Sequence, residues 1–321
     1  MKKFFVKIKA WWKAHKPSKR RLIQLYSALL FNANIKGFFN GQIYQGPTKN
    51  ICVPSLNCYS CPGAVGACPL GSLQNALIES KTRTPAYIFG TIILFGLLLG
   101  RTICGFLCPV GLGQELLYKI KTPKLKKSKA TRILSYFKYV VLVVLVAILP
   151  MFFFIPGFCE FICPAGTLEG GVGLLSNPNN EGSLGMLGPL FSWKFTLLIA
   201  ILVASIFIFR VFCRFLCPLG ALYGFFCRVA MLGIKLDKTK CTDCGLCIGV
   251  CKMDVKRVGD HECIHCGKCI SVCPAKAISW KGAKLLVRGN DTDAPTMSEV
   301  KPLDGLLQKP ATSDKEDSEN A

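Results

Sequence analysis

Residues 101–111 read RTICGFLCPVG, and residues 210–220 repeat the pattern as RVFCRFLCPLG. In both segments an arginine precedes the first cysteine by three residues, and a second cysteine follows four residues later. A spacing of four places two side chains on the same face of a helix. Proline disfavours helical geometry in the residue before it, so we expect the helix to close at the second cysteine. The two segments therefore predict a repeated helix end that presents paired thiols.

Four apolar stretches of the chain predict membrane-spanning helices. One stretch, residues 139–159, carries no charge, and its 21 residues are enough to cross a bilayer as a helix. The weakest stretch, residues 22–39, carries two asparagines and Lys36. The other two stretches cover residues 84–100 and 195–209.

The charge of the chain favours a membrane, and not nucleic acid, as its partner. Lys and Arg number 40 against 18 Asp and Glu, for a formal net charge of +22, yet 51% of the residues are hydrophobic. The basic residues flank the apolar stretches, as they do at the cytoplasmic face of membrane proteins. Nine lie in residues 1–21, three in 40–84, eight in 104–138 and none in 155–193. This alternation predicts four spans in the cytoplasmic membrane, with both termini in the cytoplasm.

The unit Cys-Pro-x-Gly occurs four times, each time next to a predicted span. Each half of the chain therefore contains a span, an outer unit, a returning span and an inner unit. The units begin at Cys68, Cys108, Cys163 and Cys217, and the cysteines that precede them are Cys58 and Cys61, Cys104, Cys159 and Cys213. The halves predict an internal duplication.

Two further cysteine motifs follow the fourth span. Residues 241–251 read CTDCGLCIGVC, and residues 263–274 read CIHCGKCISVCP. Both have the spacing C-x2-C-x2-C-x3-C of bacterial iron–sulfur proteins, in which the fourth cysteine binds the other cluster. Zinc is the alternative, but zinc sites do not need the third cysteine at this interval. The motifs assign Cys241, Cys244, Cys247 and Cys273 to one [4Fe–4S] cluster, and Cys263, Cys266, Cys269 and Cys251 to the other.

The predicted fold is mainly α. It combines a four-helix membrane domain that has an internal two-fold repeat with a small α+β domain like a bacterial 2[4Fe–4S] ferredoxin. The predicted divisions are a basic interfacial segment 1–21, a membrane domain 22–232 with repeats at about 22–120 and 133–232, a ferredoxin domain 233–284, and a disordered acidic tail 285–321.

Because the two halves have the same orientation, they can pair about an axis along the membrane normal. That pairing predicts a third cluster at the inner face, held by Cys104, Cys108, Cys213 and Cys217. It also predicts a fourth cluster at the outer face, held by Cys61, Cys68, Cys159 and Cys163, with Cys58 as the alternative to Cys61. Free buried thiols at the inner face and disulfides at the outer face are the competing interpretations.

Charged residues accompany both predicted membrane sites. We expect Arg101 and Arg210 to act as anchors at the membrane interface, with neutralisation of thiolate-bound iron as the alternative. Glu160 and Glu169 flank the outer unit of the second half, and we expect solvated loop acids there.

Residues 101–111 and 210–220, together with the two ferredoxin motifs, resemble the membrane polyferredoxins of the NapH/NosR type. The resemblance covers roughly residues 20–280. The resemblance implies a four-span electron-relay or quinol dehydrogenase subunit that has a cytoplasmic ferredoxin domain and delivers electrons toward an extracytoplasmic acceptor. It extends to the eight ferredoxin cysteines and to Cys104, Cys108, Cys213 and Cys217. The simpler members of this family lack the outer cysteines. The outer cysteines therefore leave two functions open, oxidation of quinol and direct conduction of electrons across the membrane.

We expect an electron-transfer subunit of an oxidoreductase and not a stand-alone enzyme, because no Ser/His/Asp, Walker or dinucleotide signature occurs. The expected partners are the membrane, a cytoplasmic ferredoxin or quinol as donor, and an extracytoplasmic flavoprotein or reductase as acceptor. The alternative function is a redox sensor or a maturation factor, whose clusters need not form a continuous chain. A quinol oxidoreductase would need an apolar pocket between the spans.

Overall fold

The computed structural model describes residues 18–79, 86–125, 127–177, 180 and 188–282. The described chain is mainly helical, as predicted, and a small antiparallel sheet lies near its C-terminal end. Most of the predicted interfacial segment 1–21 and all of the predicted tail 285–321 lie outside the described residues.

Short helices joined by tight turns make up most of the described chain. The α-helices are α1 (Lys19–Phe31), α2 (Ile35–Asn40), α3 (Pro69–Ile78), α4 (Ala86–Leu98), α5 (Thr102–Phe106), α6 (Pro109–Leu117), α7 (Lys129–Leu134), α8 (Phe137–Val141), α9 (Gly157–Phe161), α10 (Gly173–Leu175), α11 (Pro189–Phe207), α12 (Val211–Phe215), α13 (Pro218–Phe226), α14 (Leu246–Val250) and α15 (Lys268–Ser271). A 3-10 turn at Pro47–Asn50, π-helical segments at Leu142–Phe153 and Gly166–Val172, and strands β1 (Gly233–Leu236) and β2 (Ile278–Lys281) complete the elements.

Two helices of the described residues are long and apolar enough to cross a membrane. One is the 25-residue stretch Lys129–Phe153, and the other is α11, with 19 residues. Helix α4 is apolar but shorter, with 13 residues. These helices support association with a membrane, and the four-span topology stays a prediction.

The first predicted span, residues 22–39, is not one continuous helix, because α1 and α2 are separate. Asn32 and Asn34 lie in the break. The Asn32 side-chain amide donates to Asn57 Oδ1 at 3.0 Å. The Asn34 side-chain amide donates to the Pro62 carbonyl at 2.8 Å. Asparagine side chains offer local alternatives to helical hydrogen bonding, so these two residues interrupt the helix.

The Cys-Pro steps at Cys108 and Cys217 separate one helix from the next, and the step at Cys68 begins α3 after a loop. Their cysteines have extended backbones because a following proline disfavours helical geometry. The proline then takes the first position of the next helix, where no N–H is needed. The expectation that both cysteines of a pair share one helical turn is therefore wrong, since the later cysteine lies at the N-cap of the following helix. These N-cap residues are Cys68, Cys108 and Cys217.

Residues 233–282 form a small α+β unit, the ferredoxin module. β1 and β2 pair antiparallel, with Gly233 opposite Lys281 and Leu236 opposite Ile278. Between the strands the two cysteine motifs fold alike, because each passes through a left-handed glycine before a short helix. These glycines are Gly245, with φ 72°, and Gly267, with φ 83°. Glycine adopts such angles without the clash that a side chain would meet.

The ferredoxin module packs directly on α5. A Cβ on Gly105 would lie 2.3 Å from the Ile264 carbonyl oxygen, so only glycine permits this approach. Thr102 Oγ1 lies 2.9 Å from His265 Nδ1. Burial lowers the pKa of His265 to about 4, so this contact involves a neutral ring. Since Gly105 lies between two inner cysteines and Ile264 between two ferredoxin cysteines, the contact joins the two motifs.

Adding one methyl group at Gly105 tests this contact. We expect Gly105→Ala to lower the free energy of unfolding by about 1–3 kcal/mol, the usual effect of overpacking, and to make the module sensitive to protease. Gly113→Ala is the matched control, because a Cβ there meets nothing within 4 Å. Thermal unfolding and limited proteolysis of the purified protein measure both effects. Equal stability of the two variants would contradict the direct contact.

Candidate metal centres

Four cysteines converge where the two repeats meet on the side of the ferredoxin module. Cys104 and Cys213 lie in the matching short helices α5 and α12. Cys108 and Cys217 are the N-caps of the matching helices α6 and α13. Cys217 lies within electrostatic range of the other three thiols. The structure therefore brings together the four cysteines of the predicted inner site, called the inner quartet below.

Arg210 lies beside the inner quartet and is fully buried. Its Nε donates to Glu115 Oε1 at 2.9 Å, and its Nη1 donates to the Cys104 carbonyl at 2.6 Å. Arg20 pairs with the same Glu115 carboxylate. A Cβ on Gly111 would lie 3.0 Å from Arg210 Nη2. The glycine of this Cys-Pro-x-Gly unit thus leaves room for an arginine from the other repeat.

Arg101 makes the corresponding contact in the opposite direction. Its Nη1 donates to Glu262 Oε2 at 3.0 Å and to the His261 carbonyl at 2.5 Å. Lys138 pairs with the other oxygen of Glu262. A Cβ on Gly220 would lie 3.4 Å from Arg101 Nη2, so this glycine also leaves room for an arginine. The prediction that Arg101 and Arg210 are interfacial anchors is wrong, because acidic residues inside the protein pair with both.

The residues around the inner quartet fit an iron–sulfur cluster. A [4Fe–4S] cube takes one thiolate at each of its four irons, and the quartet supplies four cysteines. Arg101 Nε is buried without a hydrogen-bond partner in the described chain, and sulfide is an acceptor that such a donor can use. The residues present therefore fit this group.

A second set of cysteines converges at the other end of the repeats. A cavity of about 990 Å³ is bordered by four thiols, those of Cys58, Cys68, Cys159 and Cys163. Small residues leave space around the sulfurs. A Cβ on Gly170 would lie 3.3 Å from Cys58 Sγ, and one on Gly71 would lie 3.7 Å from Cys159 Sγ. The cavity offers four sulfur ligands and room beside them, which fits a cluster.

Cys61, the first choice from the sequence, is not among the residues that line this cavity. Its Sγ lies 3.6 Å from Asn32 Oδ1 instead. The Cys58 N–H donates to Glu169 Oε2 at 2.9 Å, which holds Cys58 against the second repeat. Burial raises the pKa of Glu169 to about 7, and the bond from Cys58 partly offsets this rise. Glu169 is therefore not the solvated loop acid that we expected.

The cysteines of the outer site and all others in the chain are free in the structure, without a disulfide. Of the two alternatives that the sequence leaves open for the fourth outer ligand, the geometry favours Cys58. The outer quartet is therefore Cys58, Cys68, Cys159 and Cys163.

The structure also brings the two ferredoxin motifs together. Cys251, from the first motif, lies within electrostatic range of Cys263 and Cys266 from the second. Cys269 lies within range of these three. Burial raises the pKa of the Cys251 thiol to about 12 and that of Cys263 to about 11. Binding of iron at these cysteines would therefore release protons from the thiols.

One ferredoxin site faces the membrane domain, and the other faces solvent. Cys251, Cys263, Cys266 and Cys269 line a small cavity of about 80 Å³ whose wall includes Glu115 and Phe209 of the membrane domain. In the other set, Cys244 is exposed. The module thus has one site that faces Glu115 and Phe209 and one site open to the surroundings.

Buried aromatic rings separate the inner and outer quartets. Phe158 and Phe212 each precede a quartet cysteine by one residue, and their ring centroids lie 6.4 Å apart. Tyr223, also fully buried, lies within electrostatic range of Cys104 in the inner quartet and Cys68 in the outer one. A narrow layer of side chains therefore separates the two sites.

Two protein families, both described as "4Fe-4S binding domain", match the chain. The first matches three times, at residues 84–128, 138–179 and 191–237. Each of these matches contains one Cys-x3-Cys-Pro unit. The second family matches residues 259–279, which hold the second ferredoxin motif. No solved structure matches the chain.

Curated proteins from archaea and bacteria are similar to the chain. "Uncharacterized protein MJ0750" of Methanocaldococcus jannaschii is 30% identical over 196 residues, 59% of this chain and 74% of the relative. "Methylamine utilization ferredoxin-type protein MauN" of Methylorubrum extorquens is 25% identical over 254 residues, 75% of this chain and 74% of the relative. "Putative electron transport protein YccM" of Escherichia coli is 24% identical over 211 residues, 59% of this chain and 54% of the relative.

The matched domains and the cysteine sites define an iron–sulfur protein of the ferredoxin type, with a role in electron transfer. The chain belongs to the same family as MJ0750 of Methanocaldococcus jannaschii. The predicted class, a 4Fe–4S protein of ferredoxin-type electron transport, is confirmed. The narrower resemblance to the NapH/NosR type stays a prediction.

The acidic partners of the two arginines could not be predicted from the sequence. Glu115 and Glu262 are isolated acids in the sequence, and Lys138 looks like one of many basic residues at a span end. Their pairing depends on how the ferredoxin module and the repeats pack, which no local pattern reveals. The sequence offered one signal for these pairs. Few acidic residues precede the tail, and a buried acidic residue needs a charged or hydrogen-bonding partner.

Separate replacement of Cys58 and Cys61 distinguishes the two outer ligand sets. We expect Cys58→Ser to remove one cluster from the purified protein, because Cys58 borders the outer cavity, and Cys61→Ser to leave the cluster content unchanged. Iron and sulfide analysis under anaerobic conditions measures both. Loss of a cluster in the Cys61 variant, with full content in the Cys58 variant, would reverse the assignment.

Proposed function

We propose that this protein relays electrons across the cytoplasmic membrane, between a cytoplasmic donor and an extracytoplasmic acceptor. It does so as a four-span subunit that works with redox partner proteins. Bound [4Fe–4S] clusters supply one-electron transfer at each of its cysteine sites. Both termini and the ferredoxin module lie on the cytoplasmic side in this proposal, as the charge of the loops requires.

The contact between Gly105 and Ile264 carries the proposal. It places the ferredoxin site near the inner quartet, because Cys104 and the ferredoxin cysteines Cys251, Cys263 and Cys266 pack against the same buried side chains, Met253, Val255 and Ile264. The Arg214–Asp254 ion pair and the Arg101–Glu262 ion pair hold the module in this position from two sides. A redox sensor does not need its sites close together, whereas a relay does.

The short separation of the inner and outer quartets supports the next part of the path. Phe158 and Phe212 connect the backbones of the two sites through one ring contact. Both rings are fully buried, as is Tyr223, so water is excluded between the quartets. A dry, rigid layer of this kind favours electron transfer over side reactions of exposed iron.

The solvent-facing ferredoxin site supports an entry point for a protein donor. Cys244 is exposed, and so are Lys238 and Lys240 close to it in sequence. Basic residues around an exposed redox site steer a negatively charged partner toward it. A cytoplasmic ferredoxin with an acidic surface fits this description, and quinol is the alternative donor.

Transport into closed vesicles tests the proposal. The purified holoprotein is placed in liposomes that contain ferricyanide, and dithionite-reduced ferredoxin is added outside. We expect the trapped acceptor to be reduced, because the four sites connect the two faces. Cys159→Ser and Cys213→Ser should each lower the rate at least tenfold. Cys52→Ala, which removes a buried cysteine outside both quartets, should transport at the parent rate.

Two outcomes contradict the relay, and a third changes its donor. Equal rates with the parent protein and the Cys159→Ser variant would exclude the outer quartet from the path. Failure of the fully loaded parent protein to reduce the trapped acceptor from either donor would favour a sensor or a maturation factor. Reduction from quinol alone, inhibited by quinone analogues, would replace ferredoxin by quinol as the donor.

A further inference from the structure

Gln74 connects the outer site across the two repeats. Its side chain lies on α3 of the first repeat and is fully buried. Its Nε2 donates to Cys159 Sγ at 3.1 Å, and its Oε1 accepts from the Phe158 N–H at 3.0 Å. One side chain therefore holds both the thiol of an outer-quartet cysteine and the backbone just before it.

Gln114 makes the same two contacts at the inner site. Its Nε2 donates to Cys213 Sγ at 3.2 Å, and its Oε1 accepts from the Phe212 N–H at 3.0 Å. Both glutamines occupy the sixth position after a motif cysteine, in CPLGSLQ and in CPVGLGQ. The equivalent positions of the second repeat hold Glu169 and Tyr223, which bond to backbone atoms of the first repeat instead. Each site thus receives one amide, always from the first repeat.

We propose that Gln74 and Gln114 are positioning residues that orient Cys159 and Cys213 and set the reduction potentials of the outer and inner sites. The proposal rests on the proposed function, since it assumes that the two quartets hold clusters. An N–H that donates to a ligand sulfur stabilises the more negative, reduced state and so raises the potential. The glutamine Oε1 accepts from the backbone of the helix that contains the cysteine, and this bond keeps the Nε2 donor directed at the cysteine sulfur.

The two contacts have separable consequences. Loss of the Nε2 donor should lower the potential of the site that the amide serves and leave the other site unchanged. Loss of the Oε1 acceptor should loosen the cysteine helix and lower cluster content. Gln→Glu removes the donor and keeps an acceptor, while Gln→Met removes both at similar volume and without adding charge.

Redox titration followed by electron paramagnetic resonance tests the proposal on the full-length holoprotein. Cys159→Ser and Cys213→Ser first identify which signal belongs to which site. We expect Gln114→Met to shift the inner signal to lower potential with the outer signal unmoved, and Gln74→Met to do the reverse. Gln114→Glu should also lower the inner potential while retaining more cluster than the Met variant.

Gln24→Met is the matched control, because Gln24 is a buried glutamine on α1 whose amide atoms have no hydrogen-bond partner in the described chain. It should leave both potentials unchanged. Unchanged potentials in the Gln74 and Gln114 Met variants, with clusters retained, would overturn the inference and leave the proposed function intact. Absence of the inner and outer signals from the parent protein would instead overturn the proposed function.

Discussion

The Glu262 carboxylate, held between Arg101 and Lys138, is the interaction on which the arrangement of the sites depends. All three side chains are buried. Burial opposes the ionisation of Glu262, but the two positive charges outweigh it and hold its pKa below the ordinary value. Loss of one partner from such a network costs about 3–5 kcal/mol, because it leaves an uncompensated buried charge. This network therefore fixes the ferredoxin module on the membrane domain.

A second network repeats the arrangement on the other side of the inner quartet. Arg210 and Arg20 share the Glu115 carboxylate. Each repeat thus sends one arginine across to the glycine of the other repeat's inner unit, Gly111 or Gly220. In the motif Arg-x2-Cys-x3-Cys-Pro-x-Gly, the arginine of each repeat therefore packs on the glycine of the other repeat, around four thiols. This packing explains why a glycine follows the cysteine in both inner units.

Much of the candidate site could be predicted from the sequence, because cysteine spacing reports ligand geometry directly. The ferredoxin motifs and the inner units required no knowledge of packing. The choice between Cys58 and Cys61 did require it, since both stand at plausible spacing, and the folded chain shows that Cys58 lines the outer cavity and donates to Glu169. The same limit applies to the first predicted span, which Asn32 and Asn34 interrupt through bonds to distant loop residues. Local patterns predicted the candidate ligands, and long-range polar contacts determine how these cysteines are supported.

Counting the clusters tests the central claim most directly. Protein purified without oxygen is analysed for iron and acid-labile sulfide, and then examined by electron paramagnetic resonance during stepwise reduction. Four occupied sites predict about sixteen iron atoms per chain, and signals broadened by magnetic interaction between neighbouring clusters. About eight iron atoms with two isolated ferredoxin signals would contradict the account, because the two membrane quartets would then hold no clusters.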